Sequence, residues 1–197
     1  MPHQNRVDPL GQCHAVPQRG VWFGNRGCLH DAGGKIRRWY PVKRWITCVT
    51  DFKGRKRALL QPGRYTELFF LDEATAYAAG HRPCAECRHA DWLRFRALWE
   101  GEYGERRADE IDARLDAARR NGRERRLVEV ASKSVPEGAM ILNEEVPVLR
   151  TESGWWHWSF DGYTPAPAPG ARVSLLTPEP LARLMTLGLP VQIALSE

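Results

Sequence analysis

The stretch Gly80-His81-Arg82-Pro83-Cys84-Ala85-Glu86-Cys87 constrains this chain more than any other. Ahead of it, Asp72 is a natural cap for a short helix through Glu73-Ala74-Thr75-Ala76-Tyr77-Ala78-Ala79, and Gly80 ends that helix at no steric cost. Pro83 then forbids a regular continuation, and Cys87 opens a second helix to about Trp99, with Trp92, Phe95, Leu98 and Trp99 on one side. A turn held between two helices therefore carries Cys84 and Cys87. Two thiolates at this spacing reach one tetrahedral ion, and the helix N-terminus that follows favours their negative charge. The same spacing also serves redox pairs and inert buried thiols, so spacing by itself leaves three uses open.

The surroundings favour metal. No stretch approaches the roughly 18 apolar residues of a membrane span, and Met1 to Arg6 lack the apolar core of a signal peptide, so a cytoplasmic protein with no membrane partner is expected. There the five cysteines, at 13, 28, 48, 84 and 87, stay reduced, which favours thiols or ligands over a disulfide framework. The chain has 197 residues, enough for one sizeable core or a small domain with an appended module.

The net charge of +5 is unevenly placed, because Lys35 to Arg64 holds ten Lys or Arg and a single acid, Asp51. Such a local excess attracts polyanions. Within it Trp39, Tyr40, Trp45 and Phe52 alternate with the cations, a pattern suited to stacking plus phosphate contact. Trp45 is expected inside. Arg37, Arg38, Lys53, Arg55 and Lys56 are the candidates for a phosphate-facing surface, joined by Arg82 beside the cysteine turn.

Elsewhere, residues 1 to 34 read as loops with short extended pieces. Arg44 to Asp51 and Lys56 to Gln61 read as a β-hairpin, and Tyr65 to Leu71 as a further strand. A third helix is expected from about Arg106 to Arg120, stopped by Asn121-Gly122. Strands follow at Ala139 to Asn143, Val146 to Thr151, Trp155 to Phe160 and Arg172 to Thr177. Trp156 and Trp158 face inward on the third of these, and Trp155 and His157 outward. A last helix begins at Thr177-Pro178 and ends before Gly188, ahead of a terminal strand at Pro190 to Leu195. The fold class is α+β: a small zinc-knuckle domain over 1–102, a charged helix and linker over 103–125, and a β-rich module over 126–197.

The run Tyr65-Thr66-Glu67-Leu68-Phe69-Phe70-Leu71-Asp72-Glu73-Ala74-Thr75-Ala76 and the following Ala79-Gly80-His81-Arg82-Pro83-Cys84-Ala85-Glu86-Cys87 resemble the Ada-type metal-binding domain, over residues 44 to 95. The full chain also resembles a bacterial protein family that supplies no activity to carry over. The Ada resemblance implies a Zn2+ ion held by four cysteines in a compact domain that contacts the DNA backbone. It also implies a zinc-bound cysteine that takes a methyl group from a DNA phosphotriester, for which Cys48 is the counterpart. The chain departs from the family where a closely spaced first cysteine pair belongs, since Cys48 stands alone. Cys48, Cys84 and Cys87 are thus three expected ligands, with Cys28 or His30 as the fourth and His81 as a weaker choice.

Three functions remain in play. The first is a zinc protein that binds nucleic acid, DNA ahead of RNA, in repair or regulation. The second is a metal-dependent enzyme acting on nucleic acid through Glu67 or Cys48, because Glu67 is the nearby carboxylate that no helix cap explains. The third is a metal-stabilised protein-interaction module.

Overall fold

The structure, a computed structural model, describes residues 1–55 and 58–195. Lys56, expected among the phosphate contacts, lies outside those residues, as does the start of the expected strand Lys56 to Gln61. The described strands in chain order are β1 (Arg6–Val7), β2 (Cys13–His14), β3 (Trp22–Asn25), β4 (Ile46–Val49) and β5 (Leu68–Phe70). Helix α1 (Glu73–Ala78), β6 (Arg82–Pro83), α2 (His89–Tyr103) and α3 (Ala108–Arg119) come next. After them run β7 (Arg120–Asn121), β8 (Glu124–Arg125), β9 (Val128–Ala131), β10 (Met140–Asn143), β11 (Val146–Thr151), β12 (Gly154–Ser159), β13 (Gly162–Ala166), β14 (Arg172–Leu175) and α4 (Glu179–Thr186). The fold is α+β.

Two six-stranded sheets organise it. The first runs in the order β2-β1-β5-β3-β4-β6, and the second, antiparallel throughout, β13-β12-β11-β10-β14-β9. A third, two-stranded sheet is the β7–β8 hairpin. Among the described residues, 58–61 form no strand, and β4 has no hairpin partner across Phe52-Lys53-Gly54-Arg55. Strand β4 instead lies between β3 and β6, with Cys48 opposite Phe23 and Thr47 opposite Pro83. The Trp22–Asn25 segment, hidden among glycine-rich turns, supplies the partner that the hairpin reading gave to residues 56–61.

Helix α1 explains why so many alanines are needed. Ala76 and Ala79 pack with Val7, Leu68 and Phe70 of the first sheet and with Leu29, whereas Ala74 and Ala78 pack with Met140 and Leu149 of the second and with Leu176 just after β14. Small side chains on both sides of the helix let the two sheets approach it closely. Asp72 caps it, accepting hydrogen bonds from Thr75 N (2.8 Å) and Thr75 Oγ1 (2.6 Å) on one oxygen. Its other oxygen accepts from Tyr163 Oη (2.7 Å) and Ala194 N (3.0 Å), so the cap is also a tie to the second sheet and the C-terminal segment. That segment is no strand. It crosses the start of α1, where Gln192 O accepts from Glu73 N and Ala74 N.

The other face of the second sheet is covered by α2, α3 and α4. Trp92, Phe95 and Trp99, at the expected helical spacing, pack with Ile111, Leu115, Leu181 and Leu184 against Ile141, Val148, Val173 and Leu175. Residues from before 102, from 103–125 and from after 126 share this cluster. Both faces of β12 are covered too: Trp156 and Trp158 face α1, as expected, but Trp155 is not turned outward and packs on the opposite, larger core. Side chains alternate across a strand, and this sheet has a helix on each face.

Candidate metal centre

Cys48, Cys84 and Cys87 come together. Their sulfurs all lie within 4.8 Å of one another, the one such group of three metal-ligating side chains among the described residues. Each is placed by backbone pairing. Strand β4 holds Cys48, and β6 runs parallel to it, with Arg82 N donating to Trp45 O (3.0 Å) and Cys84 N to Thr47 O (2.9 Å). Pro83 costs this ladder nothing, since it lies at the edge of the sheet, where no further strand needs its missing N–H. The turn after Pro83 brings Cys87 back over Cys84 just before α2.

The thiols share protons in a way that suits a cation. A hydrogen bond from Cys48 lowers the Cys84 pKa to about 5, and the backbone N–H groups of Cys87 and Glu86 act in the same direction. The same bond, with burial, pushes the Cys48 thiol well above its ordinary value, and burial raises Cys87. One negative sulfur flanked by two proton-bearing ones is what three crowded thiols adopt without a cation, and a divalent ion would displace the remaining protons. Tetrahedral thiolates about 2.3 Å from zinc stand about 3.8 Å apart, so closing the group needs sulfur movements of about 1 Å at most. The donor set fits a thiophilic ion such as zinc. The residues that would hold it are Cys48, Cys84 and Cys87.

The cysteines open onto a cavity of about 570 Å³ on the face of the first sheet away from α1. Phe23, Asn25, Ile46, Cys48 and Phe69 line it from paired positions on β3, β4 and β5, and Glu67, Glu86 and Arg55 also contribute to its wall. Glu67 is buried and accepts a hydrogen bond from Leu60 N at 2.9 Å, which pins the loop before it. Arg55 pairs with Glu86 at 2.9 Å, tying the 52–55 turn to the cysteine turn.

The expected fourth ligands are placed elsewhere. His30 is buried with Nδ1 2.6 Å from Thr66 Oγ1 and Nε2 3.2 Å from Gln61 O, so both ring nitrogens are engaged. The Cys28 thiol donates to His30 O at 3.5 Å. Neither joins the cysteine group. His81 is fully buried between Trp45 and Phe70, with ring centroids 5.0 and 4.7 Å away, and neither ring nitrogen has a hydrogen-bond partner among the described residues. The chain thus brings together three of the five expected ligands.

The expected phosphate contacts divide. Arg37 and Arg38 are exposed, Arg37 paired with Asp31 at 2.8 Å, and they stand apart from Lys53 and Arg55, which flank Phe52 at 5.1 Å each. Arg82 is not a surface residue. It is buried, with Nε and Nη2 each 2.8 Å from the two Asp112 oxygens and its guanidinium 4.5 Å above Trp92. A carboxylate one helix away, at residue 112, satisfies it, and no local sequence pattern reveals that pairing. Sequence reasoning also missed Arg120, Arg123 and Arg125 as neighbours of Arg37 and Arg38 around a second cavity of about 710 Å³. Their clustering in the sequence was the available signal.

Compared with known proteins, the chain matches no family model, no curated protein and no solved structure. No helix among the described residues is long and apolar enough to cross a membrane.

Proposed function

We propose that this chain is a zinc protein that binds nucleic acid, DNA ahead of RNA, with Cys48, Cys84 and Cys87 holding the ion and the arginine-rich loops meeting the phosphate backbone. The observation that carries the reading is the convergence of three cysteine sulfurs, from strand β4 and the turn after β6, within 4.8 Å. In the Ada-type reading, to which the strand cysteine beside a Cys-x-x-Cys turn belongs, the ion is the scaffold of a DNA-contacting domain.

Elemental analysis of the purified protein tests the first half: about one equivalent of zinc is expected, lost in Cys48→Ala, Cys84→Ala or Cys87→Ala and kept in Cys28→Ala. A salt-titrated binding assay with a generic duplex and a single strand tests the second. Affinity must decline as salt increases, because phosphate neutralisation releases counterions. Absent metal, or binding that is indifferent to salt, ends the reading.

One observation favours a second reading, a metal-dependent enzyme acting on nucleic acid. Three cysteines leave the fourth tetrahedral position to another ligand, and the cavity beside them contains Glu67. An open position on a metal supplies Lewis acidity. In that case Cys48 and Glu67 are the residues beside the reacting group, and Glu67→Gln abolishes turnover of a nucleic-acid substrate while leaving the melting temperature and zinc content unchanged. A parallel loss of the fold assigns Glu67 to holding Leu60 alone.

A further inference from the structure

The cavity lined by Arg37, Arg38, Arg120, Arg123 and Arg125 has no carboxylate in its wall. It is built from two distant segments. The Arg37–Arg38 segment is fixed by its own backbone, both N–H groups donating to Leu29 O at 2.7 and 3.0 Å. The facing arginines sit on the β7–β8 hairpin, where Arg120 pairs with Arg125 across the turn at Gly122, whose φ of +61° suits glycine.

Two of these side chains are held in place rather than free. Arg120 is clamped by both oxygens of Asp116, at 2.5 Å for Nη2 and 2.8 Å for Nε. Arg125 donates to the carbonyls of Ala78, Ala79 and Leu176, which leaves its Nε buried with no partner. Arg38 and Arg123 have no carboxylate partner among the described residues. Behind the wall stand further buried cations. Arg26 donates to the carbonyl of Gly11, itself part of the lining, while its Nε and Nη1 find no partner among the described residues, and Arg119 shares Asp116 with Arg120. Asp31 and Asp116 are paired with the lining arginines Arg37 and Arg120, and Asp8 acts on Arg26 and Arg125, so the unbalanced charge at the opening is that of Arg38 and Arg123. Two exposed guanidiniums without a carboxylate partner beside one opening attract an anion there.

The aromatic lining narrows the anion. Tyr40 is stacked on Trp45 with parallel rings 5.7 Å apart, whereas Trp39 is 42% exposed and lines the opening beside the arginines. Arginine forks suit phosphate oxygens, and an open indole suits a base. We propose that this cavity binds one nucleotide unit, its phosphate between Arg38 and Arg123 and its base against Trp39. The unit comes either from a nucleic-acid strand, in which case the inference rests on the nucleic-acid reading above, or from a free nucleotide.

Isothermal titration calorimetry on the full chain with adenosine monophosphate, adenosine, inorganic phosphate and a short deoxyoligonucleotide separates these cases. The monophosphate is expected to bind and adenosine not. The double variant Arg38→Gln/Arg123→Gln should weaken the monophosphate by about tenfold or more and reduce the salt slope for the oligonucleotide by about one, the share of a single phosphate. Arg94→Gln/Arg96→Gln, which removes the same charge from the exposed face of α2, should change neither. Trp39→Ala should weaken the monophosphate by about fivefold or more and leave inorganic phosphate unaffected. Equal losses in the two double variants overturn the proposal, as does a wild-type chain that binds no phosphate-bearing probe. If the oligonucleotide binds and the Arg38/Arg123 variant is unchanged, the cavity fails while the nucleic-acid reading stands. If the monophosphate binds and the oligonucleotide does not, the nucleic-acid reading fails and the cavity serves a free nucleotide.

Discussion

Replacing Asp112 by Ala exposes how the metal centre is supported. Arg82 lies two residues before Cys84 on the strand that pairs with β4, and its guanidinium is 2% exposed with Asp112 as its carboxylate partner. Asp112→Ala strands that charge in the interior. Breaking a buried pair from one side costs about 3–5 kcal/mol, most of it the desolvation of the remaining ion. An unfolding entropy of about 2.1 cal/mol/K per residue gives about 0.4 kcal/mol/K for a chain of 197 residues. The expected loss is therefore about 7–12 °C in melting temperature, read by circular dichroism. Replacing both partners, as Arg82→Met/Asp112→Leu, should recover most of it, because no charge is then left buried. If the pair also fixes β6 and the cysteines hold zinc as proposed, Asp112→Ala should lose the ion to a chelator faster than the parent at a temperature where both are folded. A melting temperature within about 2 °C of the parent for Asp112→Ala refutes the argument, and so does a double variant no more stable than the single one.

Three further outcomes follow from other parts of the fold. In the metal-free chain the Cys84 pKa is lowered to about 5, so its contribution to stability is complete above the unfolded thiol range and is lost as pH falls through about 5. The raised Cys48 and Cys87 act oppositely, their contribution fading as pH climbs past the unfolded thiol value. Urea midpoints of the apo protein should accordingly fall off at both ends, and a flat profile would contradict the shared-proton picture. His81, buried among Arg26, Arg119 and Arg125, has its pKa pushed well below 6.5, chiefly by burial, so stability should decline as pH drops below 6.5. His81→Phe should flatten that acid slope without loss at neutral pH, since it removes two nitrogens that have no partner. Tyr163→Phe should cost about 1 kcal/mol, and Asp72→Ala about 2–4 kcal/mol, because the latter removes a helix cap and orphans the Tyr163 hydroxyl together. Equal effects on urea unfolding would mean that Asp72 acts only through Tyr163.

Local chemistry made much of this protein legible from its sequence. The capped helix at Asp72, the break at Pro83, the apolar stripe of α2 and the strand at Val146–Thr151 each depend on neighbours a few residues away, and each stands as the pattern predicts. The same holds for the Cys84–Cys87 turn, whose spacing fixes the reach of both sulfurs. Pairings across long separations were not legible. Nothing within residues 44–61 indicates that β4 joins β3 and β6 rather than a hairpin partner, because strand pairing depends on which surfaces must be buried together. Arg82 reads as a surface cation until Asp112 is placed beside it, and His30 reads as a ligand until Thr66 and Gln61 take both its nitrogens. Sequence determined which side chains carry chemistry: the cysteines, the arginine-rich segments and the alanine-rich helix. Tertiary structure alone decided that Cys48 completes a group of three and that Arg37 and Arg38 meet the β7–β8 arginines around one opening. Ligand groups and charge clusters are properties of distance in space, and chain order constrains that distance only over a few residues.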